Sequence, residues 1–204
     1  MQERKYSVIV FDLGNVLLPF NNKLIIERFN KVSQGLGDKF LNYYKENYFI
    51  HRNFERGDIS EDEFINLMLN VLEKKVDKNE FINAYSKIFT VNEDVVSLIP
   101  ELEKKYMLIL LSNTDSIHRK YGWKNFPFLK YFDKFILSYE VHAVKPEGKI
   151  YRAAELYSKK PSNEHFFIDD ILEYAEGAKK TGWDAVQFTG YDNLVKDLKD
   201  RKIL

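Results

Sequence analysis

The stretch YSVIVFDLGNVLLPF, Tyr6 to Phe20, decides the fold. Val8-Ile9-Val10-Phe11 is short, β-branched and aromatic, the composition of a strand buried on both faces of a parallel sheet. Asp12 follows directly, and an isolated buried charge is costly unless it is paired or bound to a metal. In an open α/β sheet the carboxyl ends of the strands are where ligands bind, so Asp12 stands where a catalytic group is expected. Gly14 lets the backbone turn tightly or approach a ligand closely.

Downstream, Asn21 or Asn22 can cap a helix whose apolar positions Leu24, Ile25, Phe29 and Val32 recur at helical spacing, and Gly35 and Gly37 are expected to end it. From Lys39 to Phe89 the pattern stays helical. In FERGDISEDEF, Phe54 to Phe64, Gly57 stops one helix and Ser60 starts the next, with Glu63 completing a capping box and Leu67, Met68, Val71 and Leu72 continuing the apolar face. This block interrupts an otherwise alternating chain, so residues 21–90 are expected to be an inserted helical cap, with 1–20 and 91–204 forming the core.

Alternation resumes with Asn92 as N-cap for a helix from Asp94 to Lys104, followed by the strand Met107-Leu108-Ile109-Leu110-Leu111, which ends in Ser112-Asn113-Thr114-Asp115. Two hydroxyls and an amide at a strand end suit an oxyanion, because they hydrogen-bond without adding negative charge. Phe135-Ile136-Leu137 reads as a third strand, followed by a loop carrying Val144-Lys145-Pro146-Glu147-Gly148-Lys149. Phe166-Phe167-Ile168 reads as a fourth, closed by Asp169-Asp170, with a helix from Ile171 to Thr181. Ala185 to Phe188 reads as a fifth before a last helix from about Leu194. Strands separated by helices imply an α/β fold, a parallel sheet with helices on both faces.

Composition narrows the function. Of 204 residues, 31 are Lys or Arg and 31 Asp or Glu, so no overall charge favours nucleic acid or an anionic membrane. The absence of cysteine excludes disulfides, thiolate metal sites and a cysteine nucleophile, and fits a reducing compartment. MQERKYS lacks the apolar core of a signal peptide, and no apolar run reaches the ~20 residues that cross a bilayer, so a cytoplasmic protein is expected. Nothing in the sequence specifies an oligomer.

Strand ends thus deliver Asp12, Ser112 with Asn113, and Asp169 with Asp170, and Lys145 lies a loop away. Three converging carboxylates would be driven toward protonation unless a cation sat among them. Oxygen-only ligation points to a hard cation, Mg²⁺ above all. With Lys145 and the Ser112 hydroxyl available to an anion, the combination reads as Mg²⁺-dependent phosphoryl chemistry, with one carboxylate free to act as nucleophile.

FDLGNVLL, LLSNTD, VKPEGKIY and FIDDILEYAEGAKKTGW resemble, in order and across nearly the whole chain, the four motifs of the haloacid dehalogenase-like hydrolases. Within that superfamily the chain is similar to the small sugar-phosphate phosphatases of the α-D-glucose-1-phosphate phosphatase type and to the phosphatase domain of soluble epoxide hydrolases, as is the cap stretch FERGDISEDEF. The resemblance implies a Rossmann-like core with a helical cap inserted after the first strand. It implies that Asp12 is a nucleophile forming an aspartyl-phosphate, that Ser112 and Asn113 hold the phosphoryl oxygens, and that Lys145 offsets charge on nucleophile and phosphate. Asp170 would bind Mg²⁺ with Asp169 beside it, and Asp12 and the Gly14 carbonyl would complete the metal site. The partner is then a small phosphorylated molecule, and the cap residues His51, Arg52 and Arg56 are candidates for reading it, Arg56 foremost.

One departure matters. Most phosphatases of the superfamily have a second Asp two residues after the nucleophile, as acid and then base; this chain has Gly14. Loss of such a group costs ~10²- to 10⁴-fold in rate. A sugar 1-phosphate would suit the defect, because its anomeric leaving oxygen is less basic than a simple alkoxide. Asn15, His51 or an ordered water are candidates for the missing group. The alternatives are a phosphomutase-like phosphotransferase, which also needs acid-base help, and a non-catalytic phosphate- or protein-binding module. A haloacid dehalogenase does not need the metal site that Asp169-Asp170 suggests. His118, His142 and His165 read as surface or structural, and Phe49 as a cap aromatic able to face substrate.

Overall fold

A computed structural model describes residues 5–204. Five strands, β1 (Val8–Phe11), β2 (Met107–Ser112), β3 (Lys134–Leu137), β4 (His165–Asp169) and β5 (Asp184–Gln187), form one all-parallel sheet in the order β3-β2-β1-β4-β5. β1 is central, with Val10 opposite Ile109 of β2 and Phe167 of β4. Its four residues are fully buried, as the unbroken apolar run requires.

Alternate residues feed two cores. Ile9, Phe11, Leu108 and Leu110 pack with Val95 of α6 (Glu93–Val96), Ile99 and Leu102 of α7 (Ile99–Glu103), and Leu194 and Leu198 of α11 (Tyr191–Asp200). Val8, Val10, Ile109 and Leu111 pack with Ile150 and Ala154 of α9 (Gly148–Ser158) and Ala175 and Ala178 of α10 (Leu172–Lys180). Between β1 and α6 lie α1 (Lys23–Val32), α2 (Leu36–Glu46), α3 (Tyr48–Arg56), α4 (Glu61–Val71) and α5 (Lys78–Ser86), which bury a third apolar cluster around Phe29, Phe64 and Phe81. The chain leaves for this block and returns from it at one place, where Phe20 and Phe89 form an antiparallel bridge. A short α8 (Ser138–Val141) follows β3. No helix of the described residues is long and apolar enough to cross a membrane.

Local chemistry explains most boundaries. Gly57 ends α3 with a left-handed φ of 79°, and Ser60 and Glu63 form the capping box of α4. Three details differ from the sequence reading. The single helix expected from Asp94 to Lys104 is two, α6 and α7, because Pro100 lacks an N–H and its ring collides with the carbonyl four residues back. Asn92 does not cap with its side chain, which donates instead to the Val16 carbonyl at 3.0 Å.

Gly37 does not end α1; it lies inside α2. A Cβ there would stand 2.1 Å from the Ile26 carbonyl oxygen, so this glycine lets α2 pack directly on α1. Alanine would gain about 1 kcal/mol of helix propensity but cannot fit without moving backbone. Gly37→Ala is therefore expected to destabilise the fold by about 1–3 kcal/mol net, seen as a lower urea midpoint at unchanged slope. An unchanged or higher midpoint would show that the α1–α2 approach is not close.

Candidate active site

The sequence brings its polar residues to one edge because the strands run parallel and three of them, β1, β2 and β4, end in polar residues there. Asp12 follows β1, Ser112 closes β2, and Asp169 closes β4. Lys145 arrives from the loop between α8 and α9. Its side chain is fully buried, with Nζ 2.8 Å from Asp12 Oδ1 and 2.5 Å from Asp169 Oδ2. Asp170 completes the cluster: carboxylate oxygens of Asp12, Asp169 and Asp170 lie within 4.8 Å of one another.

Each carboxylate is held. Asp169 Oδ1 accepts from the Ile171 amide at 2.9 Å, two residues on, so it also fixes the turn that leads into α10. Asp170 Oδ2 accepts from Asn15 Nδ2 at 3.1 Å, and its carbonyl accepts from Gln187 Nε2 at 3.0 Å. Asn15 reaches it from a left-handed turn, φ 54°, which asparagine tolerates better than most residues. Burial pushes the Asp12 carboxyl up to about 7, against the pull of Lys145, with Asp169 and Asp170 adding to the rise. Burial also raises Asp170. Burial alone would lower Lys145, but Asp12 and Asp169 more than reverse it, so it stays charged.

Three carboxylates against one ammonium leave two negative charges in one largely buried cluster, the complement of one divalent cation. The donors are all oxygens, which suits a hard metal, and Gly14 lines the same cavity.

Above the cluster lies a cavity of about 280 Å³, walled below by the strand ends and above by α1, α2, α3 and α5. Asp12, Gly14, Ser112, Asn113, Lys145 and Asp170 line it. Asp169 does not, being wholly buried beneath Lys145. Asn113 differs from expectation at the side chain. Its Oδ1 accepts from the Lys145 amide at 2.8 Å and its Nδ2 donates to the Lys145 carbonyl at 3.3 Å, so the amide fastens the lysine loop instead of facing an anion.

The structure does not bring Arg56 to the cavity. Its guanidinium forks onto the Glu147 carboxylate, the Nη1 to Oε2 bond being 2.8 Å. Arg52, one turn earlier on α3, lines the cavity and donates to the Lys145 carbonyl at 2.6 Å. Phe49 points away and is 62% exposed, whereas Tyr44 and Tyr48 line the wall.

Among the histidines, His165 is structural as expected, buried between Ser158 Oγ and the Pro161 carbonyl, both at 2.9 Å. His118 also reaches the cavity wall, with Nδ1 2.9 Å from the buried Asp115. Sequence reasoning did not single out Glu55 or Tyr85. The signal for Glu55 was its spacing four residues after His51, which places both on one helix face. Tyr85 had no comparable sequence signal.

A parallel α/β sheet that gathers an aspartate, a buried lysine and two further carboxylates under a helical roof defines a hydrolase that works on an anionic group beside a metal. The sequence profile of the haloacid dehalogenase-like hydrolases matches residues 9–188, and the chain belongs to that family. It is 26% identical over 186 residues to a D-ribitol-5-phosphate phosphatase of Bacteroides thetaiotaomicron, covering 88% of this chain and 90% of that protein. A HAD-family enzyme of the same organism, solved in complex with magnesium and inorganic phosphate, superposes with a TM-score of 0.79 at 28% identity, covering 93% of this chain and 98% of that one. A HAD-like hydrolase structure from Porphyromonas gingivalis shares the fold, with TM-score 0.77 at 23% identity over 96% of this chain and 98% of its own.

The charge balance has a measurable consequence. Asp12 ionises near 3.8 when unfolded and at about 7 in the metal-free fold. Between those values the folded state holds a proton that the unfolded state has released, so this group's contribution to stability falls as pH rises through that window. At about pH 8 in EDTA, Asp12→Asn is expected to gain about 1 kcal/mol or more, about 2–4 °C in Tm, and to lose most of the stabilisation that Mg²⁺ gives the natural chain. A variant that melts lower in EDTA and gains as much from Mg²⁺ would contradict this electrostatic picture.

Proposed function

We propose that this chain is a Mg²⁺-dependent phosphatase of a small phosphorylated sugar or sugar alcohol, acting through an aspartyl-phosphate on Asp12. The observation that carries the reading is the Asp12 carboxylate, 2.8 Å from the Lys145 ammonium at the floor of the cavity, within one cluster of three carboxylates. The magnesium and phosphate bound by the HAD-family relative support the same assignment.

Asp12, Asp170 and the Gly14 carbonyl would hold the metal, with Asp169 beside them. When bound, Mg²⁺ supplies positive charge that screens the phosphoryl oxygens from the carboxylates. Asp12 attacks phosphorus, the bond to the leaving oxygen breaks, and that oxygen takes up a proton. Lys145 pulls Asp12 toward its anionic form and aims it, while the Ser112 hydroxyl donates to a phosphoryl oxygen. Water then attacks the phosphorus of the acyl phosphate, releasing inorganic phosphate and restoring Asp12.

Residues 21–90 act as a cap that reads the organic part of the substrate. The cavity suits a sugar-sized molecule: aromatic walls from Phe20, Tyr44 and Tyr48 accompany polar groups at His51, Arg52 and Glu55. The ribitol-phosphate phosphatase relative favours an open-chain sugar alcohol, whose leaving group is a primary alkoxide. The absence of a side-chain acid at Gly14 favours a sugar 1-phosphate, whose anomeric oxygen leaves more easily.

The test is phosphate release from p-nitrophenyl phosphate, D-ribitol 5-phosphate and a panel of sugar 1-phosphates and primary sugar phosphates, with Mg²⁺ or EDTA. Release is expected to need Mg²⁺ and to fall about 10³-fold or more in Asp12→Asn. No release above that variant's background on any ester would overturn the phosphatase reading. If primary phosphates outrun every sugar 1-phosphate, the anomeric preference fails while the phosphatase stands.

A further inference from the structure

The leaving oxygen of a sugar or sugar-alcohol phosphate departs as a basic alkoxide unless it receives a proton, and Gly14 offers no side chain to give one. The cavity wall contains one group fitted to do so. Asp12 and Asp170 belong to the carboxylate cluster, and Lys145 is clamped between Asp12 and Asp169. Arg52 does not titrate near neutrality. Phenols titrate near 10, and burial pushes Tyr44, Tyr48 and Tyr85 higher. Burial would raise Glu55, but His51 and Arg52 outweigh it and keep it ionised. His118 is pinned through Nδ1 to the wholly buried Asp115 carboxylate at 2.9 Å, a tight charge-assisted distance, with Nε2 3.2 Å from the Tyr85 carbonyl. His51 remains.

Its neighbours fix its protons. The Tyr85 hydroxyl donates its single hydrogen to Asp115 Oδ2 at 3.0 Å, so its oxygen is left to accept from His51 Nδ1 at 3.3 Å. On the other side Glu55 Oε1 stands 3.4 Å from His51 Nε2. An imidazole between a committed hydroxyl and a carboxylate satisfies both only when each nitrogen carries hydrogen, as imidazolium. Both separations exceed the 2.7–2.9 Å of a tight charge-assisted bond, so neither proton is locked in place. The remaining neighbours are the rings of Tyr44, Tyr48 and Phe64, with Arg52 beyond Glu55 and His118 beyond Asp115.

We propose that His51 is the proton donor to the leaving oxygen, oriented by Glu55 and Tyr85 on the cavity wall. This rests on the phosphatase reading above. As the bond from phosphorus to the leaving oxygen breaks, an N–H bond of the imidazolium breaks and an O–H bond forms on the departing alcohol. The neutral ring then takes a proton from the water that attacks the aspartyl-phosphate, and the cycle closes with His51 again charged.

The experiment compares His51→Gln with the natural chain in Mg²⁺, reading kcat/KM on the best sugar or sugar-alcohol phosphate and on p-nitrophenyl phosphate. This ratio reports the steps through leaving-group departure, and nitrophenolate leaves with little need of a proton. His51→Gln is expected to lose about 10²-fold or more on the alkyl phosphate and to stay within about threefold on the nitrophenyl ester. Equal losses on both esters, or no loss on either, would overturn the proposal. Nitrophenyl turnover that still needs Asp12 and Mg²⁺ shows that the variant is folded and that the phosphatase reading survives. Absence of any Asp12-dependent turnover in the natural chain would sink both readings.

Discussion

The Lys145 ammonium, wedged between Asp12 and Asp169 in the interior, is the constraint on which the rest of the structure depends. Three carboxylates cannot share a buried sheet edge without opposite charge, and one lysine neutralises only part of them. Much nearby architecture serves to hold that lysine. The Asn113 amide clasps its backbone from both sides, and the lysine side chain forms part of the cavity floor. The parallel sheet matters because it delivers the ends of β1, β2 and β4 to one edge, where residues far apart in sequence meet within hydrogen-bonding distance.

The helical roof is tied to the same loop. Arg52 donates to the Lys145 carbonyl and Arg56, one turn on, forks onto Glu147, so α3 grips the lysine loop at two points. Gly57, at the end of α3, lies so close to Tyr139 that a Cβ would stand 2.3 Å from its carbonyl oxygen. The roof of the cavity is thus a product of α3 docking on α8 and the Lys145 loop, and its polar wall of His51, Arg52 and Glu55 is carried on that one helix. Charge continuity runs from Glu55 through His51 and Tyr85 to Asp115, joining the roof to the loop after β2.

The parts of this arrangement that depend on strand order were legible in the sequence. Unbroken apolar runs marked the first four strands, and the polar residues closing β1, β2 and β4 marked the site, because a carboxylate at the end of a buried strand is too costly to stand there without a cation to meet it. What was not legible depends on how helices face one another. Arg52 and Arg56 are equivalent as sequence, and only the docking of α3 turns one into the cavity and the other onto Glu147. Gly37 resembles a helix stop until Ile26 is seen against it. Asn113 carries the right chemistry for an anion, but its amide satisfies the lysine loop, whose position no local pattern announces. His118 and Asp115 meet at 2.9 Å where the chain after β2 turns into a π-helical segment, His118–Trp123, a turn that no apolar pattern marks.

The central claim is that the carboxylate cluster is built to receive one divalent cation. Calorimetric titration of the metal-free protein with Mg²⁺, in two buffers of different ionisation enthalpy, tests it most directly. The account predicts one Mg²⁺ per chain, bound with release of protons at about pH 6 that fades toward about pH 8 as Asp12 becomes ionised beforehand. No saturable binding, with or without inorganic phosphate, or binding that survives unchanged in Asp170→Asn, would contradict it.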